Sequence, residues 1–262
     1  PELPLEGFAL ASADYVRSFD GPLKTLSLTP VLFPVYRHVN DDFGSIDQWN
    51  VAGKLYALLY DTDLDFIALS GGSKSARYGM DLSRNLTPDF EVHGEFAYIT
   101  SFRKTVLDSR GNASQKDYPA KSALVGIRYR SKRDTTYIAE AYRNGTGYTA
   151  NEMKDYFSFV QTSYASFLAS GNNLPLQRAV ALSQGSYSRI NPMTDYLYLR
   201  VIQQEPFSIL YMTPAITGIL NASDGSFTLA PELTDTRITN LELRLKATWI
   251  EGERSTEFGE KQ

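Results

Sequence analysis

The sequence predicts an all-β chain: an antiparallel, up-and-down run of about twelve or more strands, with a helical insertion in one long loop. Three observations predict it. Apolar and polar residues alternate with period two through most of the 262 residues. The connections between alternating segments are short and long by turns. Only one segment, near 149–185, changes to helical spacing.

Composition narrows the classes. Hydrophobic residues make up 42% and charged residues 21%, a balance that supports a folded core rather than a disordered tail. A net charge of -4 supplies no basic field for nucleic acid. With no cysteine there is no disulfide framework and no thiolate metal site. Aromatics are weighted to Tyr (17) and Phe (14) over Trp (2). No run of about eighteen apolar residues offers a membrane-crossing helix. A strand needs only about ten residues to cross the hydrocarbon, so that criterion leaves strands untouched. The chain opens on PELPLEGFAL, without a signal-peptide pattern, as a mature chain or a fragment would. We read residues 1–262 as one domain containing the 149–185 insertion.

The elements follow in order. Mixed alternation marks strands near 7–16, 23–38, 48–61 and 62–71. RYGMDLSRNL sets Tyr78, Met80 and Leu82 against Arg77, Asp81 and Ser83. DFEVHGEFAYIT sets Phe90, Val92, Gly94, Phe96 and Tyr98 against Glu91, His93 and Glu95. SALVGIRYRSK sets Ala123, Val125, Ile127 and Tyr129 against Gly126, Arg128 and Arg130. TTYIAEAYRNG sets Tyr137, Ala139 and Ala141 against Glu140. TDYLYLRVIQ sets Leu197, Leu199 and Val201 against Tyr196, Tyr198 and Arg200. Further strands are expected near 206–220 and 225–235. NLELRLKATWIEG is expected as one closing strand, with Leu241, Leu243, Leu245, Ala247 and Trp249 opposite Glu242, Arg244, Lys246 and Thr248.

RSFDGP, DTD, NLTPD, SKRD, QQEP and TDTRI make short turns. HVNDDFGSID, GGSKSAR, residues 103–120, residues 144–192 and NASDGS make long loops. In a meander, alternate connections share an end, so one end is tight and the other carries long polar loops. In the insertion, Thr149 and Glu152 have capping-box spacing. Met153, Tyr156, Phe157, Val160, Tyr164, Phe167 and Leu168 follow an i, i+3, i+4, i+7 stripe, and Gly171 is placed to end the helix. A shorter helix is expected over LPLQRAVALSQ. Prolines within SLTPVLF, YMTPAIT and TLAPELT remove ladder donors and point to bulges or strand starts.

Alternation alone does not say which face looks inward. About twelve strands enclose an interior too wide for an apolar face to fill, whereas a charged, wet lumen needs no filling. The greasy face mixes Leu, Val and Phe with Gly and Ala and carries aromatic rings toward strand ends, as interfacial girdles do. Loop lengths are one-sided. These features predict an antiparallel up-and-down transmembrane β-barrel.

GEFAYIT, SALVGIRYRSKRDTTYIAEAYRNG and TNLELRLKATWIEGERSTEFGEKQ carry a strand–turn–strand rhythm that resembles Gram-negative outer-membrane β-barrels of the porin-like family. The resemblance implies an outer-membrane channel for passive diffusion of small hydrophilic solutes or ions, in contact with outer-membrane lipid. It implies no enzymatic activity, no cofactor and no metal. Such barrels finish on a strand ending in an aromatic residue, whereas FGEKQ reads as a loop, so the barrel is expected to be incomplete at one or both ends. The lumen candidates are Lys54, Asp81, Glu91, His93, Glu95, Arg128, Arg130, Glu140, Arg200, Glu242, Arg244 and Lys246. The lipid-facing and girdle candidates are Phe96, Tyr98, Tyr129, Tyr137, Leu241, Leu243, Leu245 and Trp249.

Other chemistry is thin. Glu91, His93 and Glu95 project the same way roughly 7 Å apart, a spacing that lines a wall but does not converge on a metal. Neither G-x-S-x-G nor Walker spacing is present, SGGSKSARYG included. Asn221-Ala222-Ser223 matches a glycosylation sequon but reads as a turn. DSRGN and NDDFG read as solvated turns rather than calcium loops. Two other functions stay open: a structural barrel that encloses or anchors a partner protein, and a soluble barrel with an apolar ligand site. The surface also leaves room for a homo-oligomer.

Overall fold

A computed structural model describes residues 7–184, 187 and 189–261. The strands are β1 (Ala11–Ser12), β2 (Tyr15–Ser18), β3 (Leu23–Val35), β4 (Gln48–Leu59), β5 (Thr62–Leu69), β6 (Arg77–Thr87), β7 (Phe90–Leu107), β8 (Ala113–Arg130) and β9 (Thr135–Arg143). Two helices follow, α1 (Ala150–Ser170) and α2 (Leu174–Gln184). Then come β10 (Asp195–Gln203), β11 (Met212–Asn221), β12 (Phe227–Asp235), β13 (Leu243–Lys246) and β14 (Trp249–Glu251). The sheet is antiparallel and up-and-down, in the order β1, β3 and onward to β13, with β2 beside β3 and β14 beside β12. Among the described residues that order is open, beginning at β1 and ending at β13, and it does not close into a barrel. The chain divides into two compact units: Pro1–Asn85 with His93–Phe102 and Tyr118–Lys121, and Leu86–Val92 with Arg103–Asp117 and Ser122–Gln262.

Four expectations change. Residues 103–120 are not a long loop. β7 continues to Leu107 and β8 starts at Ala113, so only 108–112 connect them. The reversal is stapled by Asp108, whose carboxylate accepts from the Arg110 N–H (3.0 Å), the Asn112 N–H (2.7 Å) and the Asn112 amide (2.8 Å). Arg103 holds the strands above it through both oxygens of Asp117, at 2.8 and 3.1 Å.

The closing segment is not one strand. Leu241 and Glu242 precede β13, and Ala247 and Thr248 separate β13 from β14. The partner residue explains the break. Ala247 N–H donates to Pro231 O (3.1 Å), and proline has no N–H to return the bond. The N-terminal edge repeats the device. Ala13, between β1 and β2, donates to Pro30 O (3.3 Å), again without a reciprocal donor. QQEP, expected as a tight turn, widens to 204–211, where Pro206–Ser208 form a short 3-10 turn.

The insertion folds as its spacing requires at both ends. Thr149 Oγ1 accepts from the Glu152 N–H, and the Glu152 carboxylate accepts from the Thr149 N–H, closing the capping box. Gly171 ends α1 at φ 70°. The buried stripe is rotated from the expected one. Met153, Tyr156 and Phe159 are buried, while Tyr164, Phe167 and Leu168 stand exposed. The rotation follows from the docking partner. Phe159 lies against the 108–112 turn, where Gly111 has φ 80° and a methyl added to it would stand 2.2 Å from Phe159 Cε2. We expect Gly111→Ala to weaken this docking by about 1–3 kcal/mol, from overpacking and a left-handed backbone. Faster cleavage of α1 in limited proteolysis, at unchanged strand content, checks it.

Candidate functional site

The site is a two-faced wall, built separately in each unit. In the second unit, register fixes both faces. Ile127 stands opposite Ala139, Ala139 opposite Leu199, Leu199 opposite Gly218, Gly218 opposite Leu229, and Leu229 opposite Trp249. The next row on that face runs Tyr129, Tyr137, Val201, Ile216 and Pro231. Leu199 (58%), Leu245 (57%) and Trp249 (65%) are exposed, as are Leu197, Leu241 and Leu243. Tyr129 and Tyr137 stack at 6.2 Å near the tight 131–134 turn. Trp249 sits at the opposite end and donates its indole N–H to Glu251 Oε2 (3.1 Å).

The other face of this unit carries Arg128, Arg130, Arg200, Arg244 and Lys246 with Glu91, Glu140, Glu232 and Glu242. Arg128 reaches Glu91 at 3.7 Å. Arg244 reaches Glu232 at 3.4 Å and Glu242 at 3.7 Å, and Glu232 stands opposite Lys246 in register. Arg200 donates to Thr217 Oγ1 at 3.2 Å. Arg130 does not join this row. It turns down to Asp134 at 2.7 Å, drawn by the turn beside it. Glu140 stands opposite Gly126, one row from Arg128 on the same face.

In the first unit, the apolar rows run Leu28, Leu55, Phe66, Met80 and Pro30, Gly53, Ala68, Tyr78. Phe96 is exposed, and Tyr98 stacks on Tyr78 at 6.4 Å. The polar face is acidic: Asp63, Asp65, Asp81 and Glu95 against Lys54 and Arg77. Lys54 pairs with Asp65 at 2.8 Å, Asp81 lies directly opposite Asp65, and Glu95 stands within electrostatic reach of Asp81. Asp63 accepts from the Tyr56 hydroxyl. Alternation alone did not single out Asp63, Asp65 or Glu232. The two-residue turn at 60–61 held the missing signal, because it sets the β4–β5 register. His93 lies half-buried in β7. Among the described residues no group of three or more His, Asp or Glu could hold a metal.

The insertion packs on the charged side of the wall. Its core joins Val106, Leu107, Tyr148, Met153, Tyr156, Phe159, Ala179, Tyr187, Met193 and Tyr196, with Tyr142 and Ile219 against it. Tyr142, Tyr196 and Ile219 share the strand face of Glu140, Tyr198 and Thr217. Tyr148 and Tyr156 sandwich Tyr187, at 4.2 and 4.0 Å between ring centres. Burial raises the Tyr187 and Tyr156 hydroxyl pKa values.

The anchor of this core is Lys104, nearly buried, which donates to Gly147 O (2.9 Å) and to Glu152 Oε2 (2.8 Å). Lys116 approaches the other oxygen at 3.4 Å. Past β14 the chain returns to the same end. Glu257, 3% exposed, accepts from the Tyr196 hydroxyl (2.6 Å) and the Asn221 amide (2.9 Å). Neither Lys104 nor Glu257 stood out in sequence: Lys104 lies in a stretch that read as loop, and Glu257 lies beyond the last expected strand.

Comparison with protein-family models, curated proteins and solved structures finds no match to this chain.

Removing Lys104 leaves a mostly buried carboxylate. We expect Lys104→Met to weaken insertion docking by about 3 kcal/mol, the low end for a broken buried pair, because Lys116 still approaches Glu152. That is roughly a hundredfold faster proteolysis of α1 where opening limits cleavage. K104M/E152Q recovers part of the loss if the unpaired charge is the cause. Acid has the same effect. Burial pushes the Glu152 pKa up, but hydrogen bonds from Lys104 and the Thr149 N–H outweigh it and hold the carboxyl below its ordinary 4.5. The ionised form docks, so this stabilisation is complete above 4.5 and disappears as pH falls through the lowered value. α1 of the wild type should become protease-sensitive in that acid window, and α1 of E152Q should show no such step there.

Proposed function

We propose that this chain is a porin-like channel of a Gram-negative outer membrane, passing small hydrophilic solutes or ions through a charged lumen. The observation that carries this reading is the row-by-row separation of the strand faces. One face presents large apolar side chains, exposed and in register. The other presents charged groups joined by ion pairs. Apolar surface on this scale marks contact with lipid or protein rather than water. Water-filled space suits Arg128, Arg200, Arg244 and the carboxylates beside them; facing lipid at mid-membrane, an arginine or lysine costs about 2–4 kcal/mol.

A membrane demands closure. Hydrocarbon offers no partner for edge N–H and C=O groups, so the sheet spans lipid as a closed barrel or not at all. None of the described helices is long and apolar enough to cross. Strands of nine to eighteen residues such as β10 and β7 have the length. Because the insertion packs on the charged face, it stands in the mouth of the lumen and narrows it.

Heat-modifiable migration after detergent extraction, followed by conductance in planar bilayers, tests the channel. Detergent-free monomers with unshifted migration contradict the membrane reading. A shifted but non-conducting barrel favours the enclosing role. Deleting 149–185 raises single-channel conductance; unchanged conductance removes the constriction. Face assignment has its own check. Leu199→Arg should cost about 2–4 kcal/mol and impair insertion, whereas Tyr198→Arg, on the opposite face, should insert normally.

A further inference from the structure

The insertion carries a cavity that the wall does not use. It measures about 450 Å³ and opens between α1, the start of α2 and the 108–112 turn. That volume falls in the range of small-molecule sites. Phe159 and Leu174 give it an apolar floor, and Thr162 and Ser166 contribute hydroxyls. Arg110 and Arg178 enter from two different elements.

Neither guanidinium makes an ion pair among the described residues. Asp108, the carboxylate that feels the Arg110 charge, is already occupied by Asn112. Both arginines are mounted on fixed supports. The Asp108 staple and the Gly111–Phe159 contact hold the turn that carries Arg110. Arg178 precedes Ala179, which is 2% exposed in the helix-docking core.

Two unengaged guanidiniums beside an apolar floor make an incomplete arrangement. Guanidinium bonds to carboxylate or phosphate are charge-assisted and directional. The floor offers nothing to an ion without an apolar body. We propose that this cavity binds a small organic anion, its carboxylate or phosphate held between Arg110 and Arg178 and its apolar body on Phe159 and Leu174. The site stands on the geometry of the insertion and the 108–112 turn, and does not depend on what covers the apolar face of the sheet.

Titration calorimetry on the full chain tests it, with benzoate and phenyl phosphate as anionic probes and benzyl alcohol as their uncharged counterpart. The two anions separate a carboxylate site from a phosphate site. Saturable binding of at least one anion at millimolar concentration is expected, with none for benzyl alcohol. R110Q/R178Q should bind about tenfold more weakly or worse. Both arginines are exposed, so the variant should retain wild-type protease resistance in α1, which separates a lost site from a lost fold. Binding of neither anion, equal binding by the double variant, or equal binding of benzyl alcohol would overturn the site.

Discussion

A cross-strand ladder assigns each residue a face, and a one-residue slip reverses every assignment. In β10 such a slip would carry Leu197 and Leu199 to the side of Glu140 and Arg200. The register from β8 to β14 prevents it. Five successive pairings keep Ile127, Ala139, Leu199, Gly218, Leu229 and Trp249 in one row. The acidic polar face of the first unit and the arginine-rich one of the second are consequences of the same rule. So is the exposed apolar face of each unit.

The insertion depends on that separation too. Its tyrosine-rich core needs a partner surface, and it uses the end of the polar face, where Tyr142, Tyr196 and Ile219 replace charges. Lys104 then serves two chemistries at once. Its ammonium neutralises Glu152 at the helix start and lies 5.1 Å from the centre of the Tyr148 ring. The same Glu152 closes the capping box, so helix initiation and helix docking rest on one carboxylate.

Sequence periodicity was enough to read most of the strands and the cap at Thr149. It failed where long-range geometry decides. Phe159 is buried instead of Tyr164 because a glycine turn some fifty residues earlier leaves room for its ring. Residues 103–120 read as loop because Lys104, Lys116 and Asp117 interrupt the apolar pattern; their partners, Glu152 and Arg103, become visible only after folding. Pro231 and Pro30 signalled disruption, but the strands they interrupt are their neighbours, not their own. In the wall, Lys54 and Asp81 fall on one face as alternation requires, while Arg130 is diverted by Asp134, a turn residue that face arithmetic ignores.

In the proposed channel, positions 197, 199 and 201 of β10 meet lipid and positions 198, 200 and 202 meet water. The chain has no cysteine, so single cysteines at 197–202 carry spin labels without background. Accessibility to oxygen, which concentrates in lipid, and to a water-soluble nickel chelate should alternate with period two in membrane-reconstituted protein. Labels at 197, 199 and 201 should favour oxygen, and those at 198, 200 and 202 should favour the chelate. Accessibility without alternation, or alternation with the opposite phase, would contradict the account.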